Sequence, residues 1–179
     1  LLQALLSNNE QVGTVSEPWL LLPFVSFKRH DLVKSAFNSE LAKEGIVDFQ
    51  TKIGANGFEN DLSKFLLNQY AKVLQGNERF ILDKTPRYYE ILDEILHYFP
   101  SAKIILLKRN PIAVLHSIIQ TWHTNSLKGL LEYKRDLLVA PHILNKFSKD
   151  HVSNDNVRTV HYEAIIQNPM AEIQALYNW

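Results

Sequence analysis

The chain contains no cysteine, which excludes disulfide bonds, thiolate catalysis and zinc sites built on cysteine. The same absence fits a reducing compartment, so we expect a cytoplasmic location. The chain also has no net charge, because its 19 Lys and Arg residues balance its 19 Asp and Glu residues. No overall field therefore favours nucleic acid or an anionic membrane, and any anion site must be local. From this charge balance we expect no nucleic-acid partner. No apolar run approaches the roughly 18 residues of a membrane span, so we also expect no membrane insertion of this segment.

The seven histidines show no spacing typical of metal ligands. The HExxH pattern of zinc enzymes is missing, and the histidines are scattered along the chain. His116 and His123 lie seven residues apart on one predicted helix, where exposed or hydrogen-bonded histidines are far more common than ligands. We expect no metal ion in the site.

The sequence is instead rich in alternating strand-like and helix-like segments, with 46% hydrophobic residues over 179 positions, about one domain's worth. Short apolar runs predict strands at residues 12–15, 79–83, 102–108 and 157–161. Helical spacing predicts helices at 1–7, 27–45, 59–76, 85–99 and 111–124, one or two between 127 and 149 interrupted near Pro141, and a last helix from Pro169. This alternation predicts an α/β fold of three layers, a mainly parallel sheet with helices on both faces.

Charged residues follow three of the predicted strands. Glu17, Lys84 and Arg109 each stand just past the end of a strand-like run. Because the carboxyl ends of parallel strands converge on one rim, where ligands bind, we expect these three side chains to share a site.

The most informative stretch is IILLKRNPIAVLHS, residues 104–117. An apolar strand ends at Arg109, and an amphipathic helix follows, with Asn110 as its cap and Pro111 in its first position. An arginine fork, first-turn N–H groups and a helix dipole then all point at the crevice beyond the strand. Ser117 returns to the same helix face about 10 Å along the axis. The arrangement predicts that Arg109 and Ser117 hold parts of one extended anionic ligand.

Three blocks carry a likeness to known proteins: LLQALLSNNEQVGTVSEP (1–18), FILDKTPRYYEILDEILHYFPSAKIILLKRNPIAVLHSI (80–118) and VHYEAIIQNP (160–169). The central block is the most specific, with KTP, FP-x-AK and RNP followed by a serine eight residues after the arginine. In these features the chain resembles the sulfotransferases that use 3′-phosphoadenosine 5′-phosphosulfate (PAPS), most closely the protein-tyrosine and heparan branches and their bacterial relatives. The resemblance implies a P-loop-NTPase-like fold and transfer of a sulfuryl group from PAPS to a hydroxyl or amine, without a metal.

The resemblance also implies roles for five residues. Arg109 and Ser117 correspond to the pair that holds the 3′-phosphate, and Lys84 to the lysine beside the transferring sulfuryl group. Glu17 corresponds to the glutamate that takes the proton from the acceptor hydroxyl. Tyr162, in the Tyr-Glu pair after the last strand, corresponds to a tyrosine that contacts the nucleotide. Glu17 and Lys84 are thus the predicted catalytic residues, and the other three are predicted to bind PAPS.

One departure from the family pattern concerns the Gly-, Ser- and Thr-rich phosphosulfate loop that precedes the first helix in the family. Here that helix opens the sequence, and the last residues also break off inside a helical pattern. We therefore expect residues 1–179 to be one sulfotransferase domain, truncated at both ends, and we leave the activity of this segment open. The acceptor is not identified by the sequence. In the family that the chain resembles, the segment between the second and third strands helps shape the acceptor pocket, and it corresponds to residues 19–77 here. Four aromatic residues of this segment are candidates for the pocket or for ordinary core: Trp19, Phe24, Phe27 and Phe58.

Simpler interpretations of the same residues remain. Arg109 fits an ordinary surface salt bridge, Ser117 a hydrogen bond to a carbonyl one turn back, and Lys84 a counter-charge for the preceding aspartate. Glu17 fits a favourable charge near a helix start, and Tyr162 an ordinary core or rim aromatic. For the whole chain the alternatives are a non-catalytic nucleotide-binding relative and a P-loop kinase-like phosphotransferase.

Overall fold

A computed structural model describes residues 1–29, 31–54, 57–123 and 126–179. The described chain forms two compact units, Leu1–Ala102 and Lys103–Trp179. Each unit combines helices with a pair of parallel strands, which confirms the predicted α/β class and the predicted parallel pairing.

The elements of the first unit are α1 (Leu2–Leu6), β1 (Val12–Val15), α2 (Leu21–Val25), α3 (Ser39–Ile53), α4 (Gly57–Ala71), β2 (Phe80–Asp83), a 3₁₀ helix (Pro86–Ile91) and α5 (Leu92–Tyr98). Those of the second unit are β3 (Ile104–Lys108), α6 (Pro111–Trp122), α7 (Leu127–Leu131), a π-helical turn (Arg135–Val139), α8 (Ala140–Asp150), β4 (Val157–His161), α9 (Tyr162–Gln167) and α10 (Pro169–Tyr177). Within the described ranges, no helix combines the length and the apolar character needed to cross a bilayer.

In the first unit, β1 and β2 pair in parallel, and Val15 lies opposite Asp83 at the end of the ladder. Thr14 Oγ1 adds a side-chain bond by donating to the carbonyl of Leu82 at 2.7 Å. Gln3 of α1 donates to Thr14 Oγ1 at 2.8 Å, so that helix is tied to the same strand. The chain segments that leave the two strands therefore start from the same level of the sheet.

The core of the first unit is apolar and lies mainly under α4, the 3₁₀ helix and α5. Leu66 and Ile91 are 0% exposed, and α2 packs against both the 3₁₀ helix and α5. Burying side chains of this size supplies about 1.5–3 kcal/mol each, which is the main driving force for the fold. The other buried apolar residues of this unit are Leu6, Leu21, Val25, Tyr70, Tyr89, Leu92, Ile95, Tyr98 and Phe99.

In the second unit, β3 and β4 pair in parallel from Ile104 opposite Val157 to Lys108 opposite His161. Helix α8 packs against both strands, and its Phe147 is only 5% exposed. The remaining buried apolar residues are Ile104, Leu106, Ala140, Val160, Ile165 and Leu176. The register means that the residues following β3 and β4 leave the sheet at one end.

The predicted helix over residues 27–45 is wrong. Helix α3 begins only at Ser39, because Asn38 caps it: Asn38 Oδ1 accepts hydrogen bonds from the N–H groups of Glu40 at 3.0 Å and Leu41 at 3.2 Å. His30, which the predicted helix included, lies outside the described residues.

Side-chain contacts shape the segment that precedes this cap. Arg29 forms a two-pronged ion pair with Asp31, with both N···O distances 2.9 Å, and donates to Glu94 Oε1 at 3.0 Å and to the carbonyl of Glu90 at 3.1 Å. The hydrogen bonds that Arg29 donates to Asp31 and Glu94 raise the pKa of Arg29 above its ordinary value, against the effect of burial. These partners come from the segment and from a distant helix, so helical periodicity did not indicate them.

The helix predicted over 85–99 is also only partly correct. Its first half is the 3₁₀ helix and its second half is α5, and Thr85 makes no capping hydrogen bond. The Thr85 hydroxyl instead donates to Asp83 Oδ1 at 3.1 Å, so it belongs to a network described below.

The other predicted elements are close to the observed ones. All four strands are present, and α1, α4, α6 and α10 match their predictions within a few residues at each end. The interruption expected near Pro141 is present only as a change of helix type, since the π-helical turn runs directly into α8, which has that proline in its first turn. Thr124, the predicted end of α6, lies outside the described residues.

Candidate functional site

Glu17 and Lys84 form an ion pair in the first unit, through Oε1 and Nζ. Lys84 directly follows β2 and Glu17 comes two residues after β1, so the parallel register brings both to one end of the strand pair. The Glu17 side chain is 40% exposed and the Lys84 side chain 48%. Glu17 Oε2 has no hydrogen-bond partner among the described residues. The structure thus brings together the two residues predicted to be catalytic, and it leaves one oxygen of a partly exposed carboxylate without a partner among the described residues.

Asp83, next to Lys84, is held by hydroxyl groups. Its Oδ2 accepts hydrogen bonds from the phenols of Tyr70 and Tyr88, the latter at 2.7 Å, and its Oδ1 accepts from Thr85. Burial and the Asp83 carboxylate raise the pKa of both phenols above their ordinary value, so both remain donors at neutral pH. Asp83 makes no ion pair with Lys84, which leaves the ammonium to Glu17.

The same hydroxyls hold the segment that follows Glu17. Thr85 Oγ1 accepts from the backbone N–H of Trp19 at 3.3 Å, and the Tyr88 phenol accepts from the N–H of Leu21 at 3.2 Å. Trp19 has a φ of +54°, a left-handed conformation that is costly for a bulky residue and needs support from its surroundings. The segments that carry the two predicted catalytic residues are therefore cross-linked on either side of the ion pair.

In the second unit, Asn110 and Pro111 begin α6 as predicted. Asn110 Oδ1 accepts from the N–H of Ile112 at 2.9 Å, and Pro111 occupies the first turn, where its missing N–H costs nothing. The helix extends for 12 residues, and its N-terminus lies directly after Arg109. The helix dipole adds a partial positive charge next to the guanidinium.

Arg109 stacks on Tyr162, with Cζ 4.4 Å from the centre of the ring. Tyr162 directly follows β4 and Arg109 directly follows β3, so the strand register accounts for the contact. Arg109 Nε is buried without a hydrogen-bond partner, and the guanidinium has no ion pair among the described residues. A half-buried arginine with a buried, unpartnered Nε beside a helix N-terminus fits an anionic ligand such as a phosphate.

Ser117 lies in the middle of α6 and is half-buried. Its hydroxyl makes no hydrogen bond to the described residues, so the carbonyl bond of the simpler interpretation is absent. Its role in phosphate binding stays a prediction, as do the roles of Glu17, Lys84, Arg109 and Tyr162.

Sequence reasoning missed Glu163, the second residue of the Tyr-Glu pair. Its Oε1 accepts a hydrogen bond from the backbone N–H of Asn110 at 2.9 Å. This bond, with a bond to its own backbone N–H and the positive charge of Arg109, lowers the pKa of the Glu163 carboxyl below its ordinary value. The Tyr-Glu pair in the sequence could have indicated Glu163, but a role was predicted only for its tyrosine. Asp83 and Tyr88 were missed for a related reason, since nothing local indicates that they bond to each other.

Three of the four aromatic residues considered for an acceptor pocket contact another aromatic ring. Phe27 and Phe58 meet edge to face with ring centres 5.4 Å apart, and Phe24 meets Phe65 at 5.7 Å. Trp19 is 45% exposed. A cavity of about 290 Å³ in the same unit is lined by Glu59, Asn60, Ser63, His97, Tyr98 and Pro100. Among the described residues, no group of three or more His, Asp or Glu side chains is arranged to hold a metal ion.

Comparison with known proteins identifies the class of protein. A sequence model described as the Sulfotransferase family matches residues 1–179. The chain therefore belongs to the sulfotransferase family. It is 32% identical over 122 residues to nodulation protein NoeE of Sinorhizobium fredii (strain NBRC 101917 / NGR234). The matched region is 68% of this chain and 28% of the length of that relative.

Proposed function

We propose that the protein transfers a sulfuryl group from PAPS to an acceptor hydroxyl. The observation that carries the proposal is the contact of Glu17 with Lys84 beyond the ends of two paired parallel strands. A carboxylate and an ammonium at one solvent-accessible point suit a reaction in which one group loses a proton while another gains negative charge. Membership of the sulfotransferase family supports the same class of reaction.

Glu17 is the proposed general base. The acceptor oxygen forms a bond to sulfur as the sulfur–oxygen bond to the 5′-phosphate breaks, which yields a sulfate ester and adenosine 3′,5′-bisphosphate. Glu17 Oε2, free of partners among the described residues, takes the hydroxyl proton. Proton transfer to a positioned base typically contributes about 10²–10⁴-fold to the rate.

Lys84 is proposed to stabilise the negative charge that develops on the leaving phosphate oxygen. Electrostatic stabilisation by a positioned group is usually the largest single contribution in reactions of this kind. Its hydrogen bond to Glu17 Oε1 also fixes the carboxylate, so that Oε2 keeps a constant orientation. The hydroxyl network around Asp83 holds both segments in place, which favours a constant approach of the acceptor.

Arg109 and Ser117 are proposed to bind the 3′-phosphate, and Tyr162 to support the guanidinium. The unpartnered Nε of Arg109 and the unbonded hydroxyl of Ser117 support this assignment, because both are available to a ligand. The 3′-phosphate distinguishes PAPS from other adenine nucleotides, so these residues would set the choice of donor.

The test uses the full-length protein with radiolabelled PAPS and a panel of hydroxyl acceptors: sugars, lipids, tyrosine peptides and small metabolites. We expect labelled product with at least one acceptor, and Glu17→Gln is expected to lower turnover by about 10²-fold or more. Binding of adenosine 3′,5′-bisphosphate to Glu17→Gln should stay within about 2-fold of the original protein, since the hydrogen bond to Lys84 is conserved by the amide oxygen.

Arg109→Ala is the matching variant for the nucleotide. We expect it to weaken the binding of adenosine 3′,5′-bisphosphate by about 10²-fold, because a charge-assisted pair with phosphate is lost. Unchanged affinity would contradict the assignment of the 3′-phosphate site. Nucleotide binding without transfer to any acceptor would instead favour a non-catalytic relative.

A further inference from the structure

In the second unit, the neighbouring residues Tyr162 and Glu163 contact the neighbouring residues Arg109 and Asn110. Tyr162 stacks on Arg109, and Glu163 accepts a hydrogen bond from the N–H of Asn110 at 2.9 Å. Tyr162 and Glu163 directly follow β4, while the two residues that they contact directly follow β3 at the same end of the sheet. The turn that carries the guanidinium is therefore held both at its side chain and at its backbone.

We propose that Glu163 is a positioning residue for the phosphate-binding arginine, which it holds in place through the backbone of Asn110. The proposal rests on the proposed function, in which Arg109 binds the 3′-phosphate. Glu163 itself does not contact the ligand in this scheme. Its contribution is to fix the turn between β3 and α6, so that Arg109 is oriented before the nucleotide arrives.

The backbone geometry explains why this hydrogen bond matters. Asn110 has φ −53° and ψ 124°, outside the helix, so its N–H has no acceptor within α6. The carbonyl of Asn110 already accepts from the N–H of Val114 at 3.0 Å, and its side chain caps Ile112. The N–H bond to Glu163 is thus what ties the start of α6 to α9.

Glu163 is well placed to hold that bond. It stands in the first turn of α9, where the helix dipole and its own N–H stabilise a carboxylate. It forms no ion pair with Arg109 among the described residues, so the guanidinium keeps its donors for a ligand. A carboxylate that bonded directly to Arg109 would compete with phosphate, whereas one that bonds to the next N–H does not.

The test compares two variants in the full-length protein by calorimetric titration with adenosine 3′,5′-bisphosphate and with adenosine 5′-phosphate. Glu163→Ala removes the acceptor, and we expect it to weaken binding of the bisphosphate by about 5–10-fold. Glu163→Gln keeps an amide oxygen in place, and we expect affinity within about 2-fold of the original. Neither variant should change the affinity for adenosine 5′-phosphate, which lacks the group that Arg109 binds.

Glu132→Ala is the control, because it removes an exposed glutamate that has no side-chain partner among the described residues of the same unit. Equal losses for both nucleotides in Glu163→Ala would show a general structural effect and would overturn the proposal. Full bisphosphate affinity in Glu163→Ala, or an equal loss in Glu163→Gln, would overturn it as well. If Glu163→Ala has no effect while Arg109→Ala removes the preference for the 3′-phosphate, only the positioning role fails. If Arg109→Ala also has no effect, the proposed function fails.

Discussion

Tyr88 donates a hydrogen bond to Asp83 Oδ2 at 2.7 Å while its oxygen accepts one from the N–H of Leu21 at 3.2 Å. One phenol therefore joins the end of β2 to the segment that follows Glu17. A single hydroxyl that satisfies both a carboxylate and a backbone donor is difficult to replace, because its loss leaves two groups unpaired.

Tyr88→Phe is expected to destabilise the full-length protein by about 1–3 kcal/mol, since it leaves the Leu21 N–H and one Asp83 lone pair without a partner. It should also lower turnover, because the segments carrying Glu17 and Lys84 lose a cross-link. Urea unfolding and initial rates measure the two effects. Tyr133→Phe is the control: Tyr133 stacks on Trp122 with ring centres 6.3 Å apart, and its hydroxyl has no partner among the described residues. Equal stability of the two variants would contradict this prediction.

Gly13 lies in β1 at a position where any added side chain would come too close to Leu74. A Cβ at this position would approach Leu74 Cδ2 to 2.8 Å and Glu78 Cγ to 3.6 Å. We expect Gly13→Ala to destabilise the protein by about 1 kcal/mol, the lower end for overpacking, because the end of a leucine side chain can shift. Chemical unfolding of the full-length protein measures the effect.

Gly45→Ala is the matched substitution with the opposite expected sign. Gly45 lies inside α3, and a Cβ there would meet nothing within 4 Å. Alanine is the better helix former by about 0.8–1.0 kcal/mol, so this variant should gain stability by roughly that amount. Loss of stability in Gly45→Ala, or a gain in Gly13→Ala, would show that the room for a Cβ does not determine the effect of these substitutions on stability.

The sequence predicted the elements whose signals are local. The strands were predicted from short apolar runs, and α6 from an Asn-Pro start and a helical pattern. The contact of Glu17 with Lys84 followed from one general rule, that parallel strands end at one rim. The predicted helix over 27–45 failed because Asn38 and the partners of Arg29 override its periodicity.

The rest of the site depends on side-chain pairings that no local sequence pattern indicates, at separations from 5 to 53 positions. Asp83 bonds to Tyr70 and Tyr88, and Glu163 bonds to Asn110 53 positions earlier in the chain. Each of these residues has an ordinary local explanation, and only folding reveals the partner. Arg109 was recognisable for another reason, because its neighbours already form a helix start.

Glu59 provides a prediction for the dependence of stability on pH. Burial alone raises the pKa of Glu59, but hydrogen bonds from Lys28 and from His97, the latter at 2.7 Å, bring it below its ordinary value of 4.5. A carboxyl with a lowered folded-state pKa stabilises the fold above its unfolded-state pKa, and this contribution disappears as the pH falls through the folded-state value. The stability difference between the original protein and Glu59→Gln should therefore be present at pH 5 and shrink as the pH falls below about 4.5.

Urea unfolding of the full-length protein at intervals from pH 7 to pH 3 measures that difference. Glu44→Gln is the control, since Glu44 is an exposed residue of α3 without a partner among the described residues. A Glu59→Gln difference that stays constant down to pH 3, or that grows, would contradict the prediction.

Asn110→Ala tests the start of α6. The substitution removes the acceptor for the Ile112 N–H, and loss of such a cap costs about 1 kcal/mol, so we expect a destabilisation of that size. Asn110→Ser keeps a capping oxygen and should stay within about 0.5 kcal/mol of the original. Asn145→Ala, in the interior of α8, is the control of opposite sign, because alanine is the better helix former there. If Asn110→Ala leaves the free energy of unfolding unchanged or raises it, as expected for Asn145→Ala, the Asn110 side chain does not stabilise the start of α6.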